Sequence, residues 1–82
     1  MKKNEIKDAI RKVAPPDWEI GYISMANKTF TVNCPAEYRM AKNLDRFKAA
    51  IKAIEKATNS KCTGGGMLIG QGRYDNDFTL KG

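Results

Sequence analysis

The spacing of apolar positions along the chain predicts two helices and two hairpins. Over residues 4–14, Ile6, Ala9, Ile10 and Val13 recur at i, i+3, i+4 and i+7, which places them on one stripe of a helix. Pro15-Pro16 stops that helix, because proline lacks an amide hydrogen and its ring collides with the preceding turn. From Asp17 to Met25 the period shortens to two, with Trp18, Ile20 and Tyr22 on one face. Met25-Ala26-Asn27-Lys28 reads as a turn. Thr29 to Cys34 alternates again, with Phe30, Val32 and Cys34 inward and Thr29, Thr31 and Asn33 outward. These two runs predict a β-hairpin.

A second helix is predicted from Pro35 to about Thr58. Proline suits the first helical position, with Cys34 as N-cap and Glu37 at the third helical position, facing free backbone N–H groups. Met40, Leu44, Phe47, Ile51 and Ile54 repeat at spacings of 4, 3, 4 and 3, the strongest periodic signal in the chain. Asn59-Ser60 and Gly64-Gly65-Gly66 then break the helix. Met67 to Gln71 is a short apolar run, Arg73 to Asp77 is turn-like, and Phe78 to Lys81 alternates, which predicts a second hairpin.

The expected fold is therefore α+β in the order α-β-β-α-β-β, one domain over residues 1–82. One α-β-β unit cannot cover its own apolar face, whereas two packed together can. The expected architecture is a four-stranded, mainly antiparallel sheet with both helices on one face. The halves also echo each other: Ile20-Gly21 with Ile69-Gly70, Asn27 with Asn76, and Phe30-Thr31-Val32 with Phe78-Thr79-Leu80. Either a degenerate duplication or chance likeness between two hairpins accounts for this.

Composition narrows the chemistry. A chain of 82 residues buries too little surface to enclose a deep active-site cavity as well. No apolar stretch approaches the ~20 residues that span a bilayer, and no apolar signal core follows the charged N-terminus. The expected location is cytoplasmic, with no membrane partner. Cys34 and Cys62 are expected as free thiols there. Histidine is absent, which removes the commonest general base and metal ligand near neutral pH. No enzyme, metal or cofactor is therefore expected.

Three local motifs have weaker chemical readings. Cys34 at a helix N-terminus would have a lowered thiol pKa; as a continuation of the Phe30–Val32 face it would be an inert core thiol. Gly64-Gly65-Gly66 follows a helix rather than leading into one, so it lacks the setting of a phosphate loop. Asp75-Asn76-Asp77 lacks the glycine and the closing glutamate of a calcium loop and reads as a turn.

The net charge is +6, and it is unevenly placed. Residues 1–14 hold five basic and two acidic side chains, and residues 36–61 hold seven and three, so the excess lies on the two predicted helices. On the second helix Arg39, Lys42 and Arg46 form one basic stripe beside the small Ala49 and Ala53. Lys48, Lys52 and Lys56 continue it, diluted by Asp45 and Glu55. Such a stripe tracks phosphates, or it is simply a solvated face. Arg73-Tyr74 reads as a hairpin tip. Its ring either stacks on a base, anchors a protein interface, or folds back over the sheet edge.

The outer sheet face is expected to show Thr29, Thr31, Asn33 and Thr79 with Ile23, Met25 and Leu68. It lacks the aromatic pair of an RNA-recognition sheet but could bury against a second copy. No helix-turn-helix or zinc-finger spacing is present.

The leading expectation is a small DNA- or RNA-binding protein that grips phosphates through Arg39, Lys42, Arg46 and Lys56, with Arg73 and Tyr74 as a second contact. The alternative is a small protein-binding inhibitor or adaptor of the mobile-element type, for example an inhibitor of a bacterial defence complex. It would dock on an acidic or nucleic-acid-binding protein surface.

Overall fold

A computed structural model describes all 82 residues. The elements are α1 (Lys3–Val13), β1 (Glu19–Ser24), β2 (Thr29–Pro35), α2 (Leu44–Thr58), β3 (Ser60–Leu68) and β4 (Arg73–Leu80), with short 3-10 turns at Ala36–Arg39 and Ala41–Asn43. The strands form one fully antiparallel sheet in the order β1-β2-β4-β3, with the helices packed on it. The α+β architecture is as the apolar pattern predicts.

α1 begins where the Glu5 carboxylate accepts the Lys2 backbone N–H at 2.7 Å. It ends at Ala14, whose extended ψ of 147° is what a following proline requires. Ile6 and Ile10 are fully buried. The core they join is continuous: Trp18, Phe30, Val32, Cys34, Tyr38, Phe47, Ala50, Ile54 and Phe78 lie in the same cluster. Phe30 and Phe78 stack at 4.9 Å between ring centroids, directly opposite each other on the two central strands. The strand order is unchanged when the two halves are exchanged, and Phe30 and Phe78 correspond. The other echoes do not hold: Ile69-Gly70 lies in a turn while Ile20-Gly21 is in a strand, and Asn76 is in a strand while Asn27 is not.

Four predicted features differ. First, α2 begins at Leu44, not at Pro35. Cys34 and Pro35 stay in the sheet opposite Tyr74 and Arg73, and the Ala36 N–H donates to the Gly72 carbonyl at 2.9 Å. The chain then descends through the two 3-10 turns, hinged at Met40, which is extended. This breaks the helical register, so Met40 is 54% exposed and Tyr38 takes the buried place.

Second, β1 carries a bulge between Ile20 and Ile23. One extra residue reverses the facing of all that follow. Ile23 thus packs inward opposite Phe30, and Tyr22 turns out to solvent. The bulge fits closely around Gly21, where a Cβ would stand 2.1 Å from the Thr31 hydroxyl oxygen. That oxygen accepts the Tyr22 N–H at 3.1 Å.

Third, Gly64-Gly65-Gly66 is strand rather than loop, since β3 runs from Ser60 to Leu68. The helix stops at Asn59, which takes the left-handed conformation (φ 52°). Fourth, Asp75-Asn76-Asp77 is strand, not turn. The turn is residues 69–72, with Gly70 and Gly72 at positive φ. β4 is paired on both sides, and those ladders outweigh the turn preference of Asp-Asn-Asp. Asn76 is buried and its Nδ2 donates to the Val32 carbonyl at 3.0 Å.

Candidate cationic surface

Four aromatic residues that lie far apart in sequence meet under the first turn of α2. Trp18 meets Tyr38 edge-on at 5.4 Å and Phe47 at 5.9 Å, and Phe47 meets Tyr74 edge-on at 6.1 Å. The Tyr38 hydroxyl donates to Asp17 Oδ1 at 3.1 Å, which ties the 3-10 turn to the start of β1. Burial raises the pKa of this phenol, and its bond to Asp17 raises it further, so it stays protonated as a donor.

Two arginines lie on this cluster. The Arg39 guanidinium stands 4.8 Å from the Phe47 ring centre and 4.7 Å from that of Tyr74. Arg46 stands 5.3 Å from the ring centre of Tyr38. Both arginines are exposed, as is Lys42 between them in the second 3-10 turn. A cation over an aromatic face is held by the ring's electron cloud, and the two rings that Arg39 faces stand nearly perpendicular to each other. The molecule's single ion pair is Arg73–Glu19, so Arg39, Lys42 and Arg46 make none, and Lys42 and Arg46 share a shallow depression with the acids Asp17 and Glu37.

The structure thus brings Arg39, Lys42 and Arg46 to one end of the helical layer, though not as one helical stripe. Each comes from a different element: the two 3-10 turns and α2. Ala49 and Ala53 line a shallow groove beside Arg46, together with Val13, Pro15 and Tyr38. Lys56 belongs to the far end of α2. There Lys52, Lys56, Lys61 and Lys81 surround an open depression that has no apolar lining. Glu55 sits among them, but its carboxylate accepts the Cys62 N–H at 2.7 Å.

Arg73 and Tyr74 separate. They begin β4 instead of forming a hairpin tip, and strand alternation sends them to opposite faces. Tyr74 folds inward over Gly65, where an added Cβ would meet the tyrosine ring at 2.9 Å. With Arg39 on its face, the ring is not open for a base. Arg73 is on the outer face, where its Nε donates to Asn33 Oδ1 and an Nη donates to the Asp17 carbonyl at 2.7 Å. It is a cross-strand tie from β4 to β2 and the start of β1.

Cys34 is fully buried, and burial raises its thiol pKa, so the reactive reading fails. Its Sγ accepts from Asn76 Nδ2 at 3.6 Å. Sequence patterning offers no signal for Asp17, Trp18, Tyr38 and Phe47 as one cluster, because their proximity exists only once the sheet has formed.

No helix is long and apolar enough to cross a membrane. No protein-family model matches the sequence, and no match is found among curated proteins or solved structures.

Proposed function

We propose that the helical layer binds the phosphate backbone of a nucleic acid. The observation that carries this reading is the exposed trio Arg39, Lys42 and Arg46, none of them in an ion pair and two of them placed over aromatic rings. A guanidinium presents a bidentate fork to a phosphate, and contact with a ring restricts the side chain before binding. The lysines at the other end of α2 extend the cationic surface along a helix of about 22 Å. On the outer sheet face the acids Glu19, Asp75 and Asp77 stand beside Arg73 and Lys61, so that face has no excess of positive charge. Contacts of this kind provide affinity without reading bases, and Tyr74 is covered, so stacking on unpaired bases contributes little.

The test is a salt titration of binding to duplex and single-stranded oligonucleotides. The expected result is binding at low salt to duplexes of unrelated sequence, with log K falling linearly against log salt. Absence of binding at low salt refutes it.

A second reading has its own observation. Met40 is 54% exposed beside Arg39, and the Val13–Ala53 groove is apolar beside Arg46. An apolar patch rimmed by arginine suits an acidic protein surface, as an inhibitor or adaptor would use. A stoichiometric protein complex that survives nuclease treatment would select this reading.

A further inference from the structure

β3 is an edge strand, and half of its outer edge is unguarded backbone. In an antiparallel ladder, residues point their N–H and C=O alternately to one neighbour and then the other. The Leu80 N–H donates to the Lys28 carbonyl and the Ala36 N–H to the Gly72 carbonyl, so even-numbered residues of β4 face β2. Odd-numbered ones therefore face β3, and their partners there are Lys61, Gly64, Gly66 and Leu68. Cys62, Gly65 and Met67 are left pointing away from the sheet. The Cys62 N–H confirms the alternation, because it is taken from outside by Glu55 at 2.7 Å. Gly65 and Met67 have no such partner.

Edge strands are ordinarily protected by charge, proline or a bulge. Here the bulge between Cys62 and Gly64 and the Glu55 carboxylate protect only the first half. Residues 62–72 form the longest run without a charged side chain in a chain that is 29% charged. Within it Met67 is 58% exposed and Ile69 95%.

The free half is self-complementary. We propose that β3 pairs antiparallel with β3 of a second copy, about a two-fold axis through Gly66, joining two four-stranded sheets into one of eight strands. Gly65 then exchanges both backbone hydrogen bonds with Met67 of the second copy, and the axis repeats the exchange. On the helical side each Met67 falls opposite a Gly65, against the Tyr74 ring that covers it. On the outer side each Leu68 falls opposite a Gly64. Every bulky side chain thus meets a glycine.

Charge permits the same arrangement. The two Lys61 residues lie ten strand positions apart, about 33 Å, well beyond the screening length at physiological salt. The axis is perpendicular to the sheet, so both helical layers share one face and both Arg39 clusters flank the axis. The pairing does not depend on nucleic-acid binding.

The experiment is sedimentation equilibrium of the full 82-residue chain, freed of nucleic acid, at concentrations up to about 1 mM, the upper end of weak association. Twice the 9.1 kDa chain mass is expected. Met67→Pro removes the outward N–H without touching the ladder to β4 and should sediment as a monomer with an unchanged far-UV circular dichroism spectrum. Met67→Lys keeps the N–H but sets charges beside the axis, and should weaken the dimer by roughly tenfold or more. It decides the matter if the proline variant does not fold. A wild-type monomer throughout, an assembly larger than two, or a folded variant that dimerises like the wild type each overturns the proposal.

Discussion

Replacing Arg39 with alanine removes a guanidinium that faces two rings, at 4.8 Å from Phe47 and 4.7 Å from Tyr74. A cation over an aromatic face at an exposed site contributes about 0.5–1 kcal/mol, so the pair of contacts amounts to about 1–2 kcal/mol. In a domain of this size that lowers Tm by roughly 4–16 °C. Arg46→Ala removes one contact at 5.3 Å and should cost about half as much. Lys42 is exposed and touches neither a ring nor a carboxylate, so Lys42→Ala should stay within about 0.5 kcal/mol of wild type. Thermal melts followed by circular dichroism give this order directly. Nucleic-acid binding should follow a different order. Each substitution deletes one phosphate contact, so each should reduce the slope of log K against log salt by about 0.9. Arg39→Lys should keep that slope while losing part of the stability, because a compact, strongly hydrated ammonium makes less contact with two rings than a guanidinium does. The reasoning is refuted if Arg39→Ala melts with wild type, or if Lys42→Ala is as destabilising as Arg39→Ala. An unchanged salt slope in all three variants would remove the cationic surface as the binding site.

Gly21→Ala should destabilise the protein by about 1–3 kcal/mol, because its Cβ displaces the Thr31 hydroxyl from 2.1 Å. Adding Thr31→Ala should recover part of that loss in urea denaturation, and strict additivity would count against the clash. The Asp75 carboxyl is raised above its ordinary value of 3.8 by burial and by Asp77, so the folded state holds its proton more tightly than the unfolded state. That contribution to stability is full below the unfolded value and is lost as pH rises through the folded one. Asp75→Asn should accordingly melt higher than wild type at pH 7 and lose that advantage at about pH 3; an equal gain at both would show that charge is not the cause. Alkylation of the native protein followed by mass spectrometry should label half-buried Cys62 slowly and leave Cys34 unmodified until the chain is denatured. Labelling of Cys34 at its denatured rate would contradict its burial.

Local patterning carried much of this fold. The i, i+3, i+4, i+7 stripe of α1 and the Leu44–Ile54 repeat of α2 are amphipathic signals that need no knowledge of the rest of the chain. Phe30, Val32 and Cys34 alternate because they face the core, and all three are fully buried, while Thr31, expected open on the outer face, is buried as well against the β1 bulge. The concentration of cations in the helical layer was equally legible, because charge is additive along a segment. What local patterning missed shares one cause: the partner that decides each feature is remote in sequence. Asp75-Asn76-Asp77 has the residues of a turn, yet strands on both sides hold it extended. Pro35 has the position of a helix start, but the Gly72 carbonyl holds Ala36 at the end of the sheet. The bulge that turns Tyr22 out and Ile23 in depends on the Thr31 hydroxyl across the strand. The candidate site follows the same rule. Sequence alone singled out Arg39, Lys42 and Arg46 as candidate cations, from their number and spacing. Only the tertiary structure set two of them over rings, because Tyr38, Phe47 and Tyr74 come near the arginines when β4 closes against β2 and α2 packs over them.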